Sequence, residues 1–239
     1  GVCSRREADR LIEAGKVLVD NRPASMGQKV TPGQKVVCNG KMVRVDRSQR
    51  PRPVLLAVNK PKGIVCTTTD KDRAENIVDF LGYPERIYPV GRLDKDSEGL
   101  LLMTNQGDLV NKIMRSGNAH EKEYIVTIDK PVTERFLEQM AGGIRLPELD
   151  QVTRPCKVKK VERNTFSIIL TQGLNRQIRR MCEACGCQVK RLVRVRIMNI
   201  RLGNLRTGAY RQITKEEYEE LTGLLKDSSS LSLKERKNQ

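Results

Sequence analysis

Apolar residues fall into short groups along the chain, and their spacing changes from helical to strand-like. Ala8, Leu11 and Ile12 form the apolar stripe of a first helix, and Ser4-Arg5-Arg6-Glu7 ahead of it predicts a capping box. Gly15 predicts its left-handed stop. Val17-Leu18-Val19, a turn at Asn21-Arg22, Pro32-Gly33, the run 35–38 and the hairpin signal Asn39-Gly40 then predict short strands. Residues 1–47 thus read as a small helix-plus-hairpin domain. Between 46 and 53 the apolar period disappears and two prolines enter, which predicts a linker. A second domain is expected over 48–225, with strands at 54–58, 87–90, 100–104, 124–128, 157–161, 165–170 and 197–202 and helical stretches between them. Their spacing is too irregular for a βαβ repeat and predicts an α+β fold with a mixed, mainly antiparallel sheet. The Ser- and Lys-rich stretch 226–239 is expected to be a disordered basic tail.

Charge sharpens this picture. The 239 residues include 45 Lys or Arg against 29 Asp or Glu, a formal net charge of +16 at pH 7, which points to a polyanionic partner. At 38% hydrophobic residues the chain is too apolar for an unstructured basic tail. No run approaches the roughly 18 apolar residues of a membrane helix and the N-terminal stretch lacks a signal-peptide core, so a soluble, cytoplasmic protein is expected. Seven cysteines, odd in number and unevenly spaced, argue against a disulfide scaffold. His120 is the one histidine, so a Ser-His-Asp triad or a multi-His metal site would have to be built around it alone. Aromatics make up 3% of the chain, which disfavours a platform of stacked rings. Carboxylates and basic groups are the better catalytic candidates.

The densest polar cluster is Gly91-Arg92-Leu93-Asp94-Lys95-Asp96-Ser97-Glu98-Gly99, between two apolar runs. Three readings stay open for it. Asp94, Asp96, Glu98 and Gly99 fit the early positions of a calcium loop, but Asn105 stands where the bidentate glutamate belongs. A solvated turn is the second reading. The third is catalytic: a carboxylate flanked by Arg92 and Lys95 stays ionised near neutral pH and serves as base or nucleophile without a histidine.

In the segment 172–186, Asn175 is expected to cap a short helix and Gly186 to stop it. Ile178, Met181, Cys182 and Cys185 share one face, Arg176, Arg180 and Glu183 the other, and Arg179 falls on the rim between them. There it either pairs with a carboxylate in a cleft or is solvated. Cys182, Cys185 and Cys187 invite a zinc reading with Cys156 or His120, but two of these thiols lie on the apolar stripe. Residues 172–211 hold ten Lys or Arg and the single acid Glu183, and Arg191, Arg194 and Arg196 alternate with Leu192, Val193, Val195 and Ile197. Such a basic face suits a duplex or structured RNA. Arg5, Arg6 and Arg10 supply a second basic face on the first helix. Tyr124 begins an alternating strand and is either a core residue or a ring that stacks on a base.

Taken together and in this order, these motifs resemble the RsuA/RluF group of ribosomal RNA pseudouridine synthases over nearly all of residues 1–225. Residues 4–43 look like an S4-type RNA-binding domain, Asn59-Lys60-Pro61-Lys62-Gly63-Ile64-Val65 like the first catalytic motif, Gly91-Arg92-Leu93-Asp94 like the catalytic-aspartate motif, and Asn175-Arg176-Gln177-Ile178-Arg179-Arg180-Met181 like the later basic motif. The run 117–124 with 173–182 is most similar to the RluF branch, which acts on large-subunit ribosomal RNA. The family's S4 domain starts with a further basic and aliphatic segment, so an N-terminally shortened version of it is expected here. By this resemblance Asp94 is the essential carboxylate, Tyr124 contacts the target base, Arg179 pairs with Asp94, and Arg92 holds the extruded nucleotide or fills its gap. Arg5, Arg6, Arg10, Arg92, Arg176, Arg180, Arg191 and Arg194 are the expected RNA contacts. Uridine and pseudouridine are isomers, so no cofactor and no metal are expected. The expected partner is ribosomal RNA, with transfer RNA an open second substrate, and the chain is expected to be a monomer. The rival readings are a non-catalytic RNA-binding assembly factor and a metal-dependent nuclease built on Asp94, Asp96 and Glu98.

Overall fold

The computed structural model describes Cys3 and residues 5–43, 52–67, 74–114 and 118–228. Ser4 of the expected capping box, residues 46–51 of the expected linker, residues 229–239 of the expected tail and the side chain of Arg5 lie outside this set. The chain divides into two compact units, Gly1–Pro51 and Arg52–Gln239.

The first unit holds helix α1 (Arg5–Glu13) and strands β1 (Val17–Val19), β2 (Arg22–Pro23), β3 (Val36–Cys38) and β4 (Lys41–Met42), in the sheet order β2-β1-β3-β4. Gly15 ends α1 at φ +67°. The first hairpin turns at Asp20 and Asn21, one residue before the expected position, because both adopt positive φ and leave Arg22 free to pair with Val19. The Asp20 carboxylate then accepts from Lys35 N at 2.9 Å and Gln34 Nε2 at 2.8 Å, tying this turn to the next strand.

The second unit runs β5 (Leu55–Lys60), α2 (Ile77–Leu81), β6 (Tyr88–Val90), β7 (Glu98–Thr104), α3 (Gly107–Met114), β8 (Lys122–Ile128), α4 (Glu134–Gly142), β9 (Arg145–Leu146), β10 (Gln151–Val152), β11 (Lys157–Glu162), β12 (Thr165–Leu170), α5 (Gln177–Ala184), β13 (Val189–Ile197), β14 (Ile200–Arg201), β15 (Tyr210–Gln212) and α6 (Lys215–Leu224). A nine-stranded sheet has the order β11-β12-β8-β13-β7-β5-β15, with β6 against β7 and β14 against β13. Its one parallel junction among the described strands joins β13 to β7 through Val193↔Glu98 and Arg194↔Gly99, so the sheet is mixed and mainly antiparallel. The expected strand at 197–202 is instead the end of β13, a turn in which Met198 takes φ +52°, and the short β14.

Side-chain alternation divides β5 and β7 between two cores. Leu55, Ala57, Leu100 and Leu102 join α3 and α6 in one, while Leu56, Val58, Leu101 and Met103 join Ile64, Ile77 and Leu93 in another. Burial on both faces explains why these strands read as unbroken apolar runs. A third core packs β8 and β12 against α4 and α5, with the Phe136 and Phe166 rings edge-on at 5.2 Å. Buried Ile178, Met181 and Cys182 are the expected inner stripe of α5, and burying the first two contributes about 1.5–3 kcal/mol each. No helix among the described residues is long and apolar enough to cross a membrane.

Candidate active site

The loop from β6 to β7 is anchored where it is apolar and open where it is charged. Leu93 is buried in the core beneath the loop, and its amide faces Cys66 Sγ at 3.4 Å. The next residue, Asp94, is half-buried, and its carbonyl accepts from Ser97 N at 3.0 Å in a tight turn. Arg92, Lys95 and Asp96 are exposed, Ser97 is buried, and Gly63 N ties the loop to the end of β5 through Lys95 O at 2.9 Å.

Lys60 supports this arrangement from within. It is fully buried, and its Nζ donates to Pro61 O and Ile64 O, both at 2.8 Å. Burial pulls the ammonium below the usual lysine range, while Cys66, Asp94, Asp96 and Glu98 push back electrostatically. Lys60 carried no expected role in the sequence, although it continues the inward alternation of Leu56 and Val58 and was legible on that pattern.

Arg179 reaches the same loop from α5. Its Nη2 donates to Asp96 O at 3.0 Å and faces Ser97 Oγ at 3.5 Å, and its Nη1 donates to Val189 O at 3.5 Å. The Arg179–Asp94 ion pair implied by the resemblance is not formed within 4.0 Å; the guanidinium holds the backbone two residues further along. The helix begins one residue later than expected, with Arg176 as its cap at φ +50° and no side-chain capping bond, because Asn175 is occupied by Arg180 through its carbonyl at 3.1 Å and its side-chain oxygen at 3.4 Å.

Two of the expected RNA contacts meet acids of the loop, and a third, Arg180, is paired elsewhere. Arg176 is exposed with Nη1 4.0 Å from Asp96 Oδ2, Arg191 donates to Glu98 at 2.7 Å, and Arg180 donates to Glu148 at 2.9 Å. Arg6 and Arg10 are exposed in the first unit, where Arg10 meets Glu7 at 3.3 Å. Arg194 is a correction. It is 2% exposed and spends its donors on Leu100 O at 2.7 Å and Arg92 O at 3.5 Å, because β13 is a central strand and this position faces inward beside Tyr124. It does not belong to an exposed phosphate-binding face.

Tyr124 is half-buried and packs against two of the cores. On the same strand Lys122 is buried, with Nζ 3.2 Å from His120 O, and burial together with the Arg194 charge lowers its pKa to about 8. Burial raises the Cys182 thiol pKa and also that of Cys185 and Cys187, so these are poor thiolates. Among the described residues no group of three or more His, Cys, Asp or Glu side chains is arranged to hold a metal ion.

Comparison with known proteins adds the family. The model of the RNA pseudouridylate synthase family matches residues 54–184, which include Lys60, Asp94, Tyr124 and Arg179. The chain belongs to the RNA pseudouridine synthase family. Residues 1–36 of the synthase match the S4 domain. It is 52% identical over 230 residues to the dual-specificity RNA pseudouridine synthase RluF of Escherichia coli K12, covering 96% of this chain and 78% of that one. It is 36% identical over 232 residues to the ribosomal large subunit pseudouridine synthase B of Bacillus subtilis, covering 94% and 92% of the two chains. A crystal structure of a pseudouridylate synthase superposes with a TM-score of 0.68 at 27% identity, over 91% of this chain and 94% of the other. The synthase is therefore an isomerase that acts on RNA. Arg191 and Arg194 lie beyond the matched family segment.

Proposed function

We propose that the synthase converts a uridine of large-subunit ribosomal RNA to pseudouridine, with Asp94 as the catalytic carboxylate. The observation that carries this reading is the placement of Asp94: half-buried on a turn, without an ion pair among the described residues, and backed by the fully buried Lys60. A flipped nucleotide has its ribose and base edge within reach of such a group. The N1–C1′ bond breaks, the uracil turns, C5 bonds to C1′, the C5 hydrogen leaves to solvent and N1 gains a proton. Tyr124 supplies the half-buried wall beside which the base turns out of reach of water, and Arg179 fixes the loop backbone. Arg92, Arg176, Arg180 and Arg191 bind RNA phosphates around the opening, and Arg5, Arg6 and Arg10 do so on the S4-type domain. The names of the RluF relatives make a second RNA substrate part of the reading, with transfer RNA as the candidate. The same reading has a monomer working in the cytoplasm, with domains at 1–47 and 48–225 followed by a basic tail.

Release of tritium from ribosomal RNA carrying 5-tritiated uridine tests it, with wild type and Asp94→Asn compared in EDTA. Release by wild type alone is expected. Equal release by Asp94→Asn removes the aspartate from the chemistry, and RNA binding with no release by wild type on ribosomal precursors points to an assembly factor. Trapping with a fluorinated uridine distinguishes attack at C1′, addition to the base and removal of a ribose proton.

A further inference from the structure

We propose that Arg194 is a positioning residue for the Asp94 loop, acting from inside the sheet on the two backbone segments between which the loop hangs. This assignment rests on the function proposed above. Arg194 Nε donates to Leu100 O at 2.7 Å, just after the loop, and Nη1 to Arg92 O at 3.5 Å, two residues before Asp94. One planar guanidinium thus ties the loop's entry to its exit, a span that its rigid fork holds and a lysine's single head does not.

The surroundings make this an expensive way to fill a core. Arg194 is 2% exposed, has no carboxylate within 4.0 Å among the described residues, and keeps Nη2 buried without a partner. Its charged neighbour is another buried cation, Lys122. A buried cation without a counter-ion is destabilising, and an apolar side chain of like volume would pack there at less cost. The two carbonyl bonds are what the arginine gains in return, and both act on the segment that carries Asp94. The approach is possible because Arg194 pairs with Gly99, whose missing side chain lets β13 close on β7.

The test uses the full chain with Arg194→Met and Arg194→Lys. Hydrogen exchange over 91–99, single-turnover pseudouridine formation and RNA affinity are measured together. For Arg194→Met, exchange over 91–99 is expected to rise about 10-fold while the first unit is unchanged, and the single-turnover rate to fall about 100-fold with RNA Kd within about twofold. A fall in rate at unchanged RNA affinity, with exchange raised over the loop alone, is a split that a general loss of packing does not produce. Arg194→Lys keeps the charge but not the span, so an intermediate fall of about 10-fold is expected, and it decides the matter if the methionine variant does not fold. Unchanged loop exchange in a folded variant overturns the proposal, as does weaker RNA binding with an unchanged rate at saturation, the signature of a phosphate contact. If wild type forms no pseudouridine while the variants still loosen the loop, the function reading fails and the positioning assignment stands.

Discussion

Gly99→Ala puts the junction beneath the Asp94 loop to a quantitative test. Gly99 has φ +103°, a conformation that costs an L-residue about 1–3 kcal/mol. An added Cβ would stand 2.8 Å from Arg194 N and 2.9 Å from Val193 Cγ1, and closer still to Arg194 O. Two of these three atoms are backbone, so relief requires β7 and β13 to separate. That junction has only two register pairs, and losing its ladder bonds adds about 1 kcal/mol each. The sum is roughly 3–5 kcal/mol, a large share of the roughly 5–15 kcal/mol that holds a typical domain folded. Gly82→Ala is the control: φ there is +52° with nothing within 4 Å, so about 1 kcal/mol is expected. Urea unfolding followed by circular dichroism gives both values, and single-turnover rates corrected for the folded fraction should fall for Gly99→Ala alone. A Gly99→Ala loss below about 1 kcal/mol with an unchanged rate would refute the close β7–β13 approach as a determinant of the site.

Two other predictions address charge. Arg191→Ala removes a side chain that is 62% exposed and bonded to Glu98, so RNA affinity should fall for all sequences alike and the salt slope should drop by about one; an unchanged slope in salt-titrated binding removes Arg191 from the RNA face. Lys122 is protonated less readily in the folded chain, near pH 8, than at its ordinary 10.5, so the unfolded chain binds the extra proton between those values and stability from this group rises with pH across that window. Wild type should therefore gain about 1 kcal/mol on Lys122→Met between pH 7 and pH 9, and a pH-independent difference in urea midpoints would contradict a buried, charged Lys122.

What the sequence disclosed depended on whether a residue's neighbours along the chain determine its surroundings. The runs at 54–58 and 100–104 were legible as strands because burial on both faces leaves no polar position to confuse the period. The inner stripe of α5 was legible from helical phase alone. β13 was not, because Arg191, Arg194 and Arg196 stand in one apolar run yet meet three fates: a rim contact with Glu98, a buried fork on two carbonyls, and a pair with Glu121 and Glu123. Those fates follow from register against β7 and β8, which no local pattern contains. The loop at 91–99 left three readings open for the same reason. Once β7 begins at Glu98 its acids are drawn apart, with Asp96 beside Arg176 and Glu98 on Arg191, so they do not converge on a cation.

Positive charge in this protein consequently does two different jobs. Arg176 and Arg191 are exposed opposite Asp96 and Glu98, and the open Arg176–Asp96 pair at 4.0 Å contributes below about 1 kcal/mol. On the proposed function, exchanging the Asp96 partner for an RNA phosphate costs little and gains released counter-ions. Lys60 and Arg194 face carbonyls, and nothing entering from solvent can replace those bonds without opening the core. Salt should therefore act on RNA affinity through the rim and leave the rate of bound RNA unchanged, whereas substitutions at the two interior cations should act on the rate and leave the salt slope alone. A salt slope altered by Arg194→Lys, or a saturated rate altered by salt, would show that rim and interior are not separate in this way.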